Sequence, residues 1–150
     1  MQELCRFGSG GTGIRALEAV LLRYGFFYGP ETWFSREGDV GDQVRRREAP
    51  VIGCNWVHID DAAAATCAAL TADPGVYNVV DDQPVAQSVW LPAFAKFVGA
   101  PEPPTVSEEE ALRNSGPDSV YYATRLRGAS NQKAKAKLAF RPRPLEWLGV

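Results

Sequence analysis

One hundred and fifty residues, 45% of them apolar, suffice for one compact domain, and a formal charge of −2 excludes a general electrostatic pull toward nucleic acid or an anionic membrane. Three cysteines, Cys5, Cys54 and Cys67, form neither a CxxC metal pattern nor an even-numbered disulfide framework, so reduced thiols are expected. With no apolar run long enough to span a bilayer and no signal-peptide core at the amino terminus, the expectation is a cytoplasmic protein with no nucleic-acid and no membrane partner.

The segment Gly8 to Gly13 reads GSGGTG and formally satisfies GxGxxG. That motif holds a pyrophosphate only when a buried strand delivers the glycines to a helix amino terminus, and Met1 to Phe7 is too short and too polar to be that strand. No acidic residue ends a second strand where a ribose would be held; the chain there reads Trp33-Phe34-Ser35. Residues 1–13 are therefore expected to be a flexible amino-terminal segment, and residues 14–150 a single domain.

Ala19 to Phe27, AVLLRYGFF, is a continuous apolar run suited to a strand covered on both faces, and Tyr28-Gly29-Pro30 breaks it. Asp39 to Arg47 reads as a polar helix, its arginine triplet a solvated face, and Pro50 to Cys54 as a short strand. Asp60-Asp61 reads as the amino-terminal cap of an alanine-rich helix, Ala62 to Leu70. Gly75 opens a strand, Val76 to Val80, closed by Asp81-Asp82. Ser88 to Val98 carries apolar residues at helical spacing and Gly99 stops it. Ala100 to Pro117, rich in proline and glutamate, reads as a surface excursion, and Asn131 to Leu138 as a last short helix.

Four stretches in this order resemble the extended short-chain dehydrogenase/reductase family, within it the NAD-dependent epimerase/dehydratase group. They are LRYGFFYGP at Leu22 to Pro30, VHIDDAAAA from Val57, GVYNVVD from Gly75, and ASNQKAK from Ala129 leading to Phe140-Arg141-Pro142. The resemblance covers the carboxy-terminal half of that family. It implies an α/β fold: the last two strands of a Rossmann-type parallel sheet together with the small α/β substrate-binding domain. It also implies NAD or NADP as cofactor and a sugar-like small molecule as substrate.

The resemblance places the nicotinamide ring beside Tyr24, Gly25 and Phe26, and substrate contacts at Phe27, Tyr28 and His58. At Phe27 an apolar contact is expected in place of hydrogen bonding to a sugar. Core packing is the competing account of Tyr24, Phe26, Phe27 and Tyr28. His58, the single histidine, has no serine or cysteine motif to activate, and a structural hydrogen-bonding role is expected.

What the family uses for chemistry is not found. Its catalytic tyrosine is followed four residues later by a lysine, whereas here Tyr24, Tyr28, Tyr77, Tyr121 and Tyr122 are followed at that distance by Tyr28, Thr32, Asp81, Arg125 and Leu126. Its nucleotide-binding half needs far more chain than the seven residues before Gly8. No catalytic residue is assigned, and no metal ligand set is present. Two functions are expected: a truncated epimerase/dehydratase-like protein inactive by itself, or a non-catalytic binding and assembly module. The unguarded apolar strand predicts a homodimer or a complementing partner chain.

Overall fold

The computed structural model describes residues 18–48 and 55–149, so the expected flexible segment 1–13 and the expected strand Pro50 to Cys54 lie outside the described residues. In chain order the elements are β1 (Val20–Tyr24), β2 (Phe26–Tyr28), α1 (Asp39–Arg45), β3 (Trp56–His58), α2 (Ile59–Ala69), β4 (Gly75–Val79), α3 (Gln87–Phe97), α4 (Glu108–Thr124) and α5 (Gln132–Lys137).

The apolar run 19–27 is two strands and not one. β1 pairs in parallel with β4, Val20 opposite Gly75 and Tyr24 opposite Val79, while β2 pairs in parallel with β3, Phe26 opposite Trp56. The change of partner happens at Gly25: its N–H donates to Val79 O at 3.1 Å, and the next N–H, of Phe26, donates to Asn55 O at 2.9 Å. Only glycine fits that crossing, because a Cβ at Gly25 would stand 2.8 Å from the Trp56 backbone. Among the described residues β1 has no second neighbour, so one of its edges carries no strand.

Alternation along β3 splits the core in two. Trp56 enters an aromatic cluster with Tyr28, Phe34, Trp90, Phe94 and Trp147, and Val57, pointing to the other face, joins Tyr77, Val79, Ala62, Ala65 and Phe140. Rings in the first cluster meet edge to face: Phe34 and Trp56 lie 4.6 Å apart at 82°, and Phe94 and Trp147 lie 5.0 Å apart at 76°. In the second cluster the buried face of α2 consists of Ala62, Ala65 and Ala69, whose small side chains let the helix sit close on the strands.

Helix α2 begins one turn earlier than expected and has a different cap. His58 is the cap residue, its Nδ1 accepting from the Asp60 N–H at 3.1 Å, while Asp60 and Asp61 lie inside the first turn. The aspartates face the positive end of the dipole and hold Arg143 from the carboxy-terminal segment: Asp61 Oδ2 accepts from the Arg143 backbone N–H at 2.9 Å and Asp61 Oδ1 from its Nε at 3.0 Å. A second correction concerns Ala100 to Pro117. Ser107 caps α4 by accepting from the Glu110 N–H at 3.2 Å, and the helix starts at Glu108, bending at Gly116, where φ is 79°.

The ASN stretch ties the carboxy-terminal part to the strand ends. Asn55 Oδ1 accepts from the Ala129 N–H at 3.0 Å, Asn78 Nδ2 donates to Ser130 O at 3.0 Å, and buried Asn131 donates to Val80 O and to Asp82 Oδ1 at 2.8 and 2.7 Å. The result is a mixed α/β fold whose short parallel strand pairs match part of a Rossmann-type sheet.

Candidate functional site

The crossing at Gly25 opens a trough of about 530 Å³, within the range of small-molecule sites. Tyr24, Gly25, Phe26 and Phe27 form one wall, the loop Glu31 to Phe34 the other, and Ile59 at the start of α2 closes an end. The loop is shaped by Gly29, at φ 111°, where a Cβ would stand 2.6 Å from His58 Nε2, and by Glu31 at φ 61°. Thr32 secures it, its hydroxyl donating to Gly29 O at 2.8 Å. Phe34 plugs the loop into the aromatic core, and its neighbour Trp33 is left 67% exposed.

The hydroxyl hydrogens of the trough are committed. Thr66 donates to Ala62 O at 2.7 Å, so in its 2.5 Å contact with Tyr24 the tyrosine is the donor. Tyr24 and Phe27 rings lie 5.4 Å apart, and Phe26 leans toward Phe34 and Trp56. Glu31 is the charged group among the described lining residues.

The six residues singled out from the sequence divide here. Tyr24, Gly25, Phe26 and Phe27 line the trough together. Tyr28 and His58 are buried behind it: the Tyr28 hydroxyl points to Pro144 O at 3.2 Å, and the rings of the two residues meet at 5.1 Å, 86°. Burial, reinforced by the Asp61 charge, raises the Tyr28 phenol well above its ordinary pKa, so it stays protonated. Because Nδ1 of His58 accepts a hydrogen bond, its ring proton belongs on Nε2, 3.7 Å from Glu146 Oε1. Trp33, Thr32 and Glu31 were not foreseen as lining residues; the signal available was the pair of large apolar residues, Trp33-Phe34, inside an otherwise polar turn.

A second, smaller cleft of about 260 Å³ runs between Asp81-Asp82 after β4 and the segment Pro142 to Leu145. Asp81 is buried there, Oδ1 accepting from the Trp56 N–H at 3.4 Å and Oδ2 having no hydrogen-bond partner among the described residues. Desolvation lifts its carboxyl to about 7, against which the Trp56 hydrogen bond pulls. Asp82 next to it is shifted the other way, held ionised by Asn131 and then by Lys135.

No family model matches the chain. A 3-diazoavenalumate denitrifying reductase from Streptomyces sp. is 34% identical over 137 residues, which are 87% of this chain and 45% of the reductase. Two solved structures are similar at 27% identity: a functionally unknown conserved protein from Silicibacter pomeroyi, with a TM-score of 0.63 over 89% of this chain and 46% of the other, and Thermus thermophilus UDP-glucose 4-epimerase in complex with NAD, with a TM-score of 0.55 over 89% and 44%. The chain thus spans about half the length of the relatives it matches.

Proposed function

The chain belongs to the extended short-chain dehydrogenase/reductase family, of which it represents the carboxy-terminal half, and on that premise we propose that it forms the substrate side of an NAD- or NADP-dependent reductase or epimerase. The observation that carries the reading is the trough at Gly25, where Tyr24, Gly25, Phe26 and Phe27 converge at the end of a parallel strand pair. Clefts at the carboxyl ends of parallel strands are where such sheets bind ligands. In this reading the backbone of Tyr24, Gly25 and Phe26 runs beside the cofactor's ring and Phe27 contacts the substrate. Tyr28 and His58 hold the wall from behind. The relatives' names supply two substrates to weigh, 3-diazoavenalumate and UDP-glucose.

These 150 residues hold no tyrosine with a lysine four positions on, so the acid/base pair of the family has to come from a nucleotide-binding half. Loss of such a group alone costs a factor of roughly a hundred to ten thousand. The isolated chain is expected to give no NAD-dependent turnover. Adding the amino-terminal half of the Streptomyces reductase is expected to restore cofactor oxidation. Tight NAD binding and turnover of UDP-glucose by the chain alone would overturn the reading.

A second reading, an assembly module, is favoured by one observation: among the described residues one edge of β1 carries no strand, and Leu21 of that strand is exposed. An apolar edge without lysine or proline is a template for another strand, supplied by a second copy or by a complementing chain. Sedimentation at micromolar concentration tests this, and a monomer whose Val20 to Tyr24 amides resist hydrogen exchange would count against it.

A further inference from the structure

We propose that the trough takes a flat aromatic portion of the substrate, stacked against Trp33 and Phe27, and is not a nucleotide-sugar site; Trp33 is its specificity-determining residue. This rests on the reading of the chain as a substrate-side half. Five of the nine described residues lining the trough are aromatic: Tyr24, Phe26, Phe27, Trp33 and Phe34. Trp33 is 67% exposed, and Phe26 and Phe27, which pack on Phe34 and Trp56 and on Tyr24, still leave 41% and 40% of their surface open to a ligand. Burying such an apolar surface against a ligand would be favourable, and leaving it wet is not.

The polar inventory argues against a sugar diphosphate. A pyrophosphate is held by guanidinium, ammonium or a ring of free backbone amides. Among the described residues lining the trough there is no lysine or arginine, and the charged group present, Glu31, repels phosphate. The nearest arginine of the same loop, Arg36, is engaged elsewhere, stacked 3.9 Å over Phe97 and donating to Phe97 O. A sugar needs donors as well as acceptors, yet the Tyr24 hydroxyl hydrogen already goes to Thr66 and that of Thr32 to Gly29 O, which leaves these side chains only as acceptors. What the trough offers is ring faces and one carboxylate. An uncharged aryl group, with a donor that reaches Glu31, matches it.

The test uses the chain as it is. Of the four tryptophans, Trp56, Trp90 and Trp147 are buried at 0, 0 and 2% exposure, so an indole ¹⁵N-labelled sample reports the trough through Trp33 alone. Titration with cinnamamide, a neutral arylpropenamide, is expected to shift the Trp33 indole signal saturably, and titration with UDP-glucose or with 3-cyclohexylpropenamide, the counterpart of cinnamamide with a saturated ring, is not. Trp33→Ala should weaken cinnamamide binding by calorimetry roughly two- to tenfold, the worth of one aromatic contact, and Trp33→Phe should retain most of it. Because Trp33 is exposed, neither substitution threatens the fold.

Saturable binding of UDP-glucose at Trp33, equal binding of the cyclohexane compound, or no saturable shift with cinnamamide would each overturn the proposal. So would a Trp33 signal that moves with protein concentration and not with the probe, which would put a second copy in the trough. The outcome is separable from that of the parent reading. Aryl binding without any NAD-dependent turnover after complementation sinks the enzyme half and leaves this inference standing; turnover of UDP-glucose, indifferent to Trp33→Ala, does the reverse.

Discussion

His58 and Asp81 are both buried polar side chains, and each answers to a different test. His58 closes the amino terminus of α2 through Nδ1, a role in which asparagine is a good substitute and alanine is not. Both replacements remove the ring from beneath Tyr28, so the difference between them isolates the cap: His58→Asn should be more stable than His58→Ala by about 1 kcal/mol in urea denaturation. Equal stability would mean that the ring's packing, and not the Asp60 hydrogen bond, is what the position supplies. For Asp81 the readout is pH. Its folded-state pKa, about 7, is raised above the unfolded value, so the stability linked to its protonated form is fully present below about pH 4 and is lost as pH rises through 7. Asp82 runs the opposite way but stays ionised from pH 5 to 8, which keeps it out of the comparison. Asp81→Asn retains an acceptor for the Trp56 N–H and cannot ionise. Thermal melts should find it more stable than the parent protein by on the order of 1–3 kcal/mol at pH 8, with the gap narrowing as pH falls and closing only near pH 4; a gap independent of pH would refute the assignment.

Among the elements, the break between β1 and β2 determines where the trough lies. Gly25→Ala would press a methyl group into the Trp56 backbone at 2.8 Å and should cost about 1–3 kcal/mol, as overpacking does, with loss of the shared trough as well. Stability within a few tenths of the parent protein would show that the crossing tolerates a side chain. The sequence alone shows why Ala19 to Phe27 is strand and hides that it is two: hydrophobicity is continuous across it, and one glycine in a strand marks a close backbone approach without saying to what. The same holds for α4, where proline, glutamate and Gly116-Pro117 obscure a helix whose start, Ser107 followed by three glutamates, is a regular cap signature. By contrast β4, α3 and α5 were legible to within a residue or two, because periodicity, a glycine stop and flanking turns agree there. Tyr24 to Phe27, named by resemblance, do line the trough together. Trp33 could not be named from the sequence: nothing local distinguishes an exposed tryptophan from a buried one, and only the positive φ values at Gly29 and Glu31 turn it outward.

At the scale of the whole molecule, the parallel pairing of β1 with β4 governs when the chain can fold. A parallel partner cannot be reached by a hairpin, and here the strand opposite Val20 begins only at Gly75, after β3 and α2 have been made. On the ribosome, β1 emerges before β4 and, among the described residues, has no strand partner until residues through Val79 have cleared the exit, so its apolar side chains wait for β4 while α2 and β3 assemble. The rate of synthesis between the codons of β1 and β4 therefore governs how long that strand is available to a neighbouring nascent chain or to a chaperone. Slowing translation just before Gly75 prolongs that exposure and should raise the insoluble fraction, and slowing it after Val79 should not.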